Sequence, residues 1–155
     1  MTVYSTGLPY DIAVQKLHFG PERHNFRITD EALGTGGQKE KFRDNLAAIR
    51  LLKQIEAEKR LAAPGEQETL SKYVGWGGIP QAFDLANEKW EKEYTELKEA
   101  LTPEEYASAR GSVLNAHYTS PVVIGAIYGA LGRMGFTPGN ILEPSCGTGN
   151  FFGLL

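Results

Sequence analysis

The chain has 155 residues, of which 41% are hydrophobic and 23% are charged, so it is long enough for one globular domain with a buried core. A net charge of −3 argues against a strongly basic nucleic-acid-binding domain, and the single cysteine, Cys146, excludes an internal disulfide and fits a reducing compartment. No apolar run approaches the ~20 residues of a membrane helix and the first residues lack a signal-peptide pattern, so we expect a cytoplasmic protein without membrane contact.

The first part of the chain, residues 1–37, is predicted to be irregular. Glycine and proline recur through it, and short extended pieces are possible at Ile12–Leu17 and Asn25–Ile28. A long amphipathic helix is then predicted over 38–62, because apolar residues recur there in three- and four-residue steps and share one face. These residues are Phe42, Leu46, Ile49, Leu52 and Ile55.

Four further helices are predicted, over 65–74, 85–100, 103–111 and 121–134. The segment Gly75-Trp76-Gly77-Gly78 separates the first two, since three glycines are costly inside a helix. The third begins with a capping box made by Thr102 and Glu105, and Ser120-Pro121 begins the fourth by the same logic. In that last helix we expect four apolar residues to face inward, namely Val123, Ile124, Ile127 and Leu131.

Charge is unevenly spread along the predicted helices. Lys39 to Arg60 holds seven basic against four acidic residues, an excess of +3, and Asp84 to Glu105 holds three basic against eight acidic, an excess of −5. Both runs are most simply solvated helix faces. The alternatives are a phosphate-facing strip on the first and a surface for a basic protein on the second.

The segment with the clearest chemistry is 141–153, which reads ILEPSCGTGNFFG. A short buried strand over 140–143 is predicted to enter a glycine loop, and Gly147 and Gly149 would let the backbone approach a ligand in front of a new helix. These features are typical of a nucleotide-type cofactor loop. A tight strand-to-helix turn without a ligand explains them equally well on these residues alone.

The flanking residues add a resemblance to a known family. The segment from Glu143 to Phe151 resembles the first cofactor motif of the amino-group DNA methyltransferases, and Asn115 to Pro121, with its Tyr-Thr-Ser-Pro core, resembles their other cofactor element. The order of the two elements is similar to that of the enzymes that methylate the exocyclic amino group of adenine. The resemblance implies S-adenosylmethionine as the cofactor.

Carried over to matching positions, the resemblance assigns roles to seven residues. Tyr118 and Thr119 would touch the methionine part of the cofactor, and Glu143 would anchor the loop and the amino-acid end. Close backbone contact would come from the rest of the motif, Pro144, Ser145, Gly147 and Gly149. Cys146 replaces the alanine common in the group and is interpreted as a packing residue, not a nucleophile. No metal site is expected, because His117 has no accompanying metal-ligand spacing.

A wider resemblance covers roughly residues 25–155. Phe26-Arg27-Ile28, the segment from Tyr73 to Gly78, Trp90 and the segment from Leu101 to Tyr106 together look like the large methylase–helicase fusion proteins of conjugative elements and phages. In those proteins an adenine methylase portion precedes a Swi/Snf-type helicase portion. Trp76 could be a base-stacking platform, although filling a gap between helices is the more common use of such an aromatic residue.

The predicted fold is therefore mainly α. It comprises an irregular segment over 1–37, a helical domain over 38–114, and the truncated start of a Rossmann-like methyltransferase domain over 115–155, which ends in its first strand and glycine loop. The family's catalytic Asp/Asn-Pro-Pro-Tyr/Phe segment is absent from the sequence. We therefore expect the N-terminal portion of a DNA adenine methyltransferase, acting with DNA and the remainder of the enzyme, and inactive alone.

An alternative function stays open at this point. Mobile elements also carry small proteins that defeat host restriction or CRISPR defence. A protein descended from the front end of such a methylase could instead bind and inhibit a host defence nuclease. The acidic residues Glu91, Glu96 and Glu99 would then be the natural contact surface.

Overall fold

A computed structural model describes residues 26–137 and 139–155. This part of the chain is mainly helical, as predicted, and contains no strand. Six α-helices follow one another: α1 (Gln38–Ala57), α2 (Pro64–Ser71), α3 (Glu91–Ala100), α4 (Pro103–Gly111), α5 (Pro121–Arg133) and α6 (Asn150–Gly153). Short 3₁₀ turns lie at Pro80–Phe83, Glu88–Trp90 and Ser112–Leu114. None of the helices in the described ranges is long and apolar enough to cross a membrane.

Helix α4 begins and ends at the predicted residues, and its capping box is present. The Glu105 amide donates to the Thr102 hydroxyl at 3.2 Å, and the Thr102 amide donates to the Glu105 carboxylate at 2.7 Å. Helix α5 also begins as predicted, with Pro121 in its first turn, although the Ser120 side chain makes no capping hydrogen bond. Local start signals therefore located both helices correctly.

Helix α1 ends earlier than predicted, at Ala57 instead of residue 62. Lys59 takes a left-handed conformation with φ +52°. The Lys59 amide then donates to Glu56 at 3.1 Å and the Arg60 amide donates to Ile55 at 3.3 Å, which is the hydrogen-bond pattern of a Schellman motif. The apolar pattern did not predict this stop, because the residue in the left-handed position is lysine and not glycine.

The predicted helix over 85–100 is also too long, since α3 is helical only from Glu91. The Asp84 carboxylate accepts a hydrogen bond from the Ala86 amide at 3.0 Å, which holds a turn where the helix was expected to begin. Leu85 is consequently 73% exposed. Similarly, α2 runs from residue 64 to 71 and stops short of residue 74.

The core lies where α1, α3, α4 and the segment between α2 and α3 meet. Trp76 is 1% exposed, and its ring lies 6.2 Å from that of Phe42 and 5.4 Å from that of Phe83. This burial confirms the interpretation of Trp76 as a residue that fills a gap between helices. The other buried members of the cluster are Leu46, Ile79, Ala82, Trp90, Leu97 and Tyr106.

The predicted strand over 140–143 is wrong for the described structure. Residues 139–143 have no regular secondary structure, and the side chains of Ile141 and Leu142 are 40% and 89% exposed. A strand exists only when a neighbour supplies the partners of its backbone groups, and the described part of the chain contains no such neighbour. Within the expected N-terminal extended piece, Ile28 instead donates its amide to Gly153 at 2.8 Å, and Ile12–Leu17 lies outside the described residues.

The expected inward face of α5 is only partly buried. Ile124 is fully buried, but Val123 and Ile127 are 49% and 41% exposed. Val122, Met134 and Phe136, in and just after this helix, are also exposed.

Candidate cofactor site

The segment from Gly75 to Gly78 forms a turn that one buried polar residue holds in place. Asn45, on α1, is completely buried. Its side-chain amide donates to the Gly75 carbonyl at 2.7 Å, and its side-chain oxygen accepts from the Val74 amide at 2.8 Å. Both halves of the Asn45 side chain are therefore satisfied by the backbone of the turn.

Tyr118 lies between this turn and the glycine loop. A Cβ atom added to Gly75 would lie 2.9 Å from the Tyr118 Cε2 atom, and one added to Gly147 would lie 2.9 Å from Cδ1 and Cε1 of the same ring. Gly75 and Gly147 have φ angles of +74° and +52°, which favour glycine in any case. The structure thus brings the two sequence elements of the predicted site into contact through one tyrosine ring.

The loop from Glu143 to Gly149 is held chiefly by its own hydrogen bonds. The Ser145 amide donates to the Glu143 carboxylate at 2.9 Å, and the Gly149 amide donates to the Cys146 carbonyl at 2.7 Å. Gly149 has φ +85° and leads into α6. Glu143 therefore orders the loop, while Pro144 and Ser145 face solvent.

A second link joins the loop to the tyrosine element. The Asn150 side-chain amide donates to the Thr119 carbonyl at 3.1 Å, and its oxygen accepts from the Thr148 hydroxyl at 3.1 Å. Beyond it, the Tyr128 hydroxyl donates to the Phe151 carbonyl at 2.6 Å, which ties α6 to α5. Burial raises the pKa of Tyr128, and the nearby Glu143 charge raises it further, so this phenol keeps its proton.

The cavity at this junction is small. Its volume is about 150 Å³, and its lining includes Tyr118, Thr119, Asn150, Gly34 and Lys41. Pockets that enclose drug-sized ligands usually measure ~300–1,000 Å³. The cavity formed by the described residues is therefore too small to enclose a ligand of that size.

Three further side chains lie near the site. Cys146 is exposed, so its interpretation as a packing residue is wrong. His117 is exposed, its ring lies against Gly77, and the described residues contain no group of three or more potential metal ligands. Asn45 was missed by the sequence analysis, although a polar residue next to the apolar stripe of α1 was the available signal.

Comparisons with protein-family models, with curated proteins and with solved structures found no match to this chain, so the assignment below rests on its residues and their geometry.

Proposed function

We propose that this chain is the N-terminal portion of an S-adenosylmethionine-dependent DNA adenine methyltransferase and is not catalytically competent alone. The observation that carries the proposal is the contact of Gly147 with Tyr118. Two segments that resemble cofactor elements, separated by more than twenty residues, meet at one ring. A loop that served only as a turn would not require this meeting.

The assigned residues have distinct roles in the proposal. Tyr118 supplies an aromatic surface beside the glycine loop, where the methionine part of the cofactor would lie. The Thr119 carbonyl is already engaged by Asn150, so Thr119 contributes through its hydroxyl and by positioning Tyr118. Gly147 and Gly149 offer bare backbone to the ligand, and Glu143 orders the loop through the Ser145 amide.

Two observations support the limit on activity. The cavity measures only about 150 Å³, so cofactor affinity of the chain alone should be low. The sequence also lacks the Asp/Asn-Pro-Pro-Tyr/Phe segment that would hold the flipped adenine. The remainder of the methyltransferase would supply the rest of the pocket, and the exposed apolar residues of α5 and 141–142 are a suitable surface for it.

The test is an NMR titration of the chain with S-adenosylmethionine. We expect weak binding, with a dissociation constant of about 1 mM or more, and shifts at Tyr118, Thr119 and residues 145–149. Gly147→Ala should abolish these shifts, because the added methyl group would collide with the Tyr118 ring. Gly78→Ala, where nothing lies within 4 Å of the added atom, should leave them unchanged.

Two results would overturn parts of the proposal. If the shifted signals belonged to residues away from the loop, or if no signal shifted at the highest cofactor concentration, the proposed cofactor site would be wrong. Transfer of a labelled methyl group to adenine-containing DNA by the isolated chain would contradict its inactivity.

A second candidate function is inhibition of a host defence nuclease, and the exposed acidic face of α3 favours it. Glu93 is paired with Lys39 at 2.5 Å and Glu96 with Lys92 at 3.7 Å. Glu91 and Glu99 are exposed, and neither has an ion pair within the described ranges. If this face binds a basic protein, replacing Glu91 and Glu99 with glutamine should lower the association rate with a purified nuclease and make that rate less dependent on salt. Gly147→Ala should leave the association rate unchanged.

A further inference from the structure

A second cleft, independent of the glycine loop, opens between α1 and α4. Its volume is about 570 Å³, which falls within the ~300–1,000 Å³ range of small-molecule sites. Tyr118 is part of its lining, and residues 143–150 contribute none of it. The inference below shares Tyr118 with the proposed cofactor site but uses no residue of the glycine loop.

Aromatic rings form the inner wall of the cleft. The Tyr73 and Tyr118 rings lie 6.3 Å apart at 49°, and the Tyr73 and Trp76 rings lie 6.4 Å apart at 84°. Burial raises the pKa of Tyr73, so this phenol stays neutral. At these distances the rings pack against each other, and Trp76 is buried, so a ligand in the cleft would lie across the sides of Tyr73 and Tyr118 that face it.

The outer rim of the cleft is acidic. Glu56, Glu104 and Glu105 line it against one cation, Lys53. The Lys53 ammonium is already engaged, at 2.5 Å from Glu105 and 2.8 Å from the Ala100 carbonyl. Glu56 and Glu104 are exposed and form no ion pair with any described residue, so the rim carries uncompensated negative charge.

We propose that this cleft binds a compact organic cation, an alkylammonium group, against the sides of the Tyr73 and Tyr118 rings that face the cleft. An ammonium group is attracted to the negative faces of aromatic rings, and carboxylates at the entrance add a longer-range attraction. The group is either a free amine or the methylated lysine side chain of a protein, since both present the same charge and shape to the cleft.

The experiment is an NMR titration with choline and, as a matched control, with 3,3-dimethylbutan-1-ol, which has the same shape without the charge. At constant ionic strength, choline should shift the signals of Tyr73, Ser108 and Ser112 saturably, and the neutral alcohol should not. A peptide that contains trimethyllysine tests the second source. Tighter binding of the peptide than of choline identifies a protein ligand, and equal or weaker binding identifies a free amine.

Variants separate the cation site from a nonspecific apolar cleft. Tyr73→Leu should weaken choline binding by roughly three- to thirtyfold. Because Tyr73 touches Trp76 and its loss could disturb the core, Glu104→Gln provides a second test and should weaken binding by about two- to fivefold. Glu99→Gln, on α3 outside the cleft, should have no effect.

Equal binding of the neutral alcohol, or unchanged binding in both Tyr73→Leu and Glu104→Gln, would overturn the proposal. So would the absence of a saturable shift up to about 100 mM choline. Because Tyr118 is shared, the signals that shift distinguish the two sites: Tyr73, Ser108 and Ser112 line this cleft, and residues 145–149 form the glycine loop.

Discussion

Asn45 is the residue on which the arrangement of the site depends most directly. Its replacement by alanine leaves the Gly75 carbonyl and the Val74 amide without partners in a buried position. We expect Asn45→Ala to lower the free energy of unfolding by about 2–3 kcal/mol, measured by urea denaturation. Arg43→Ala, at an exposed position on the same helix, should change it by less than about 0.5 kcal/mol. An Asn45→Ala variant as stable as the control would show that the turn is held by other contacts.

The glycines of the Gly75–Gly78 turn differ in whether a side chain could be added without loss of stability. An alanine at Gly75 would be strained at φ +74° and would place its Cβ 2.8 Å from the Ala116 carbonyl oxygen. The left-handed conformation alone costs about 1–2 kcal/mol, so Gly75→Ala should lose at least that much stability. The Cβ of Gly78→Ala meets nothing within 4 Å, so this variant should be nearly as stable as the unchanged protein. Thermal unfolding of both variants measures the difference. Equal losses in the two variants would contradict this difference.

At the scale of the elements, the end of α1 contains a strained residue. Lys59 takes φ +52°, a conformation that glycine adopts without a steric penalty. We expect Lys59→Gly to raise the free energy of unfolding by about 0.5–1 kcal/mol, measured by urea denaturation. The matched control is Lys72→Gly at the end of α2, where φ is −74°. At Lys72, glycine relieves no steric strain and adds backbone freedom to the unfolded chain, so Lys72→Gly should lower the free energy of unfolding. If both variants became more stable, the left-handed conformation of Lys59 would not be the cause.

The start of α2 gives the protein a specific pH dependence. The Arg60 guanidinium donates to Glu66 at 2.6 and 2.7 Å and the Ala63 amide donates to it at 2.8 Å, which lowers the pKa of Glu66 from 4.5 to about 2. Because the folded state has the lower pKa, the stabilisation is complete above pH 4.5 and is lost as the pH falls towards 2.

The stability difference between the protein and its Glu66→Gln variant should therefore narrow over that pH range. Urea denaturation at several pH values measures it. Glu68→Gln, at an exposed position of the same helix, should show no comparable narrowing. A constant difference across the range for Glu66→Gln would indicate that the ion pair makes no contribution.

At the scale of the whole molecule, the two ends of the described chain have different surfaces. From residue 112 onward only Arg133 and Glu143 carry a formal charge, and large apolar side chains remain exposed. Exposed apolar surface favours association. We expect concentration-dependent self-association in sedimentation velocity, reduced by combining Val122→Ser with Leu142→Ser without loss of stability. A protein that stays monomeric at all concentrations would show that this surface is too dispersed to act as an interface.

The sequence by itself determined the features that depend on neighbouring residues. The capping box of Thr102 and Glu105 and the proline at the start of α5 act within one turn, so both helix starts were predicted correctly. The mainly helical class followed from the three- and four-residue spacing of apolar side chains. The assignment of Tyr118 and Gly147 to a cofactor site stays a prediction, and the structure adds that the two residues touch.

Only the tertiary structure decided the features that need a distant partner. Residues 140–143 have the composition of a buried strand, but a strand forms only beside another, and the described residues supply none. Asn45 looked like an ordinary polar residue of a helix until the chain returned with Gly75, thirty residues later, to use both of its hydrogen-bonding groups. Likewise, the cleft between α1 and α4 exists because Tyr73 and Tyr118 converge across the fold, and no local pattern encodes that distance.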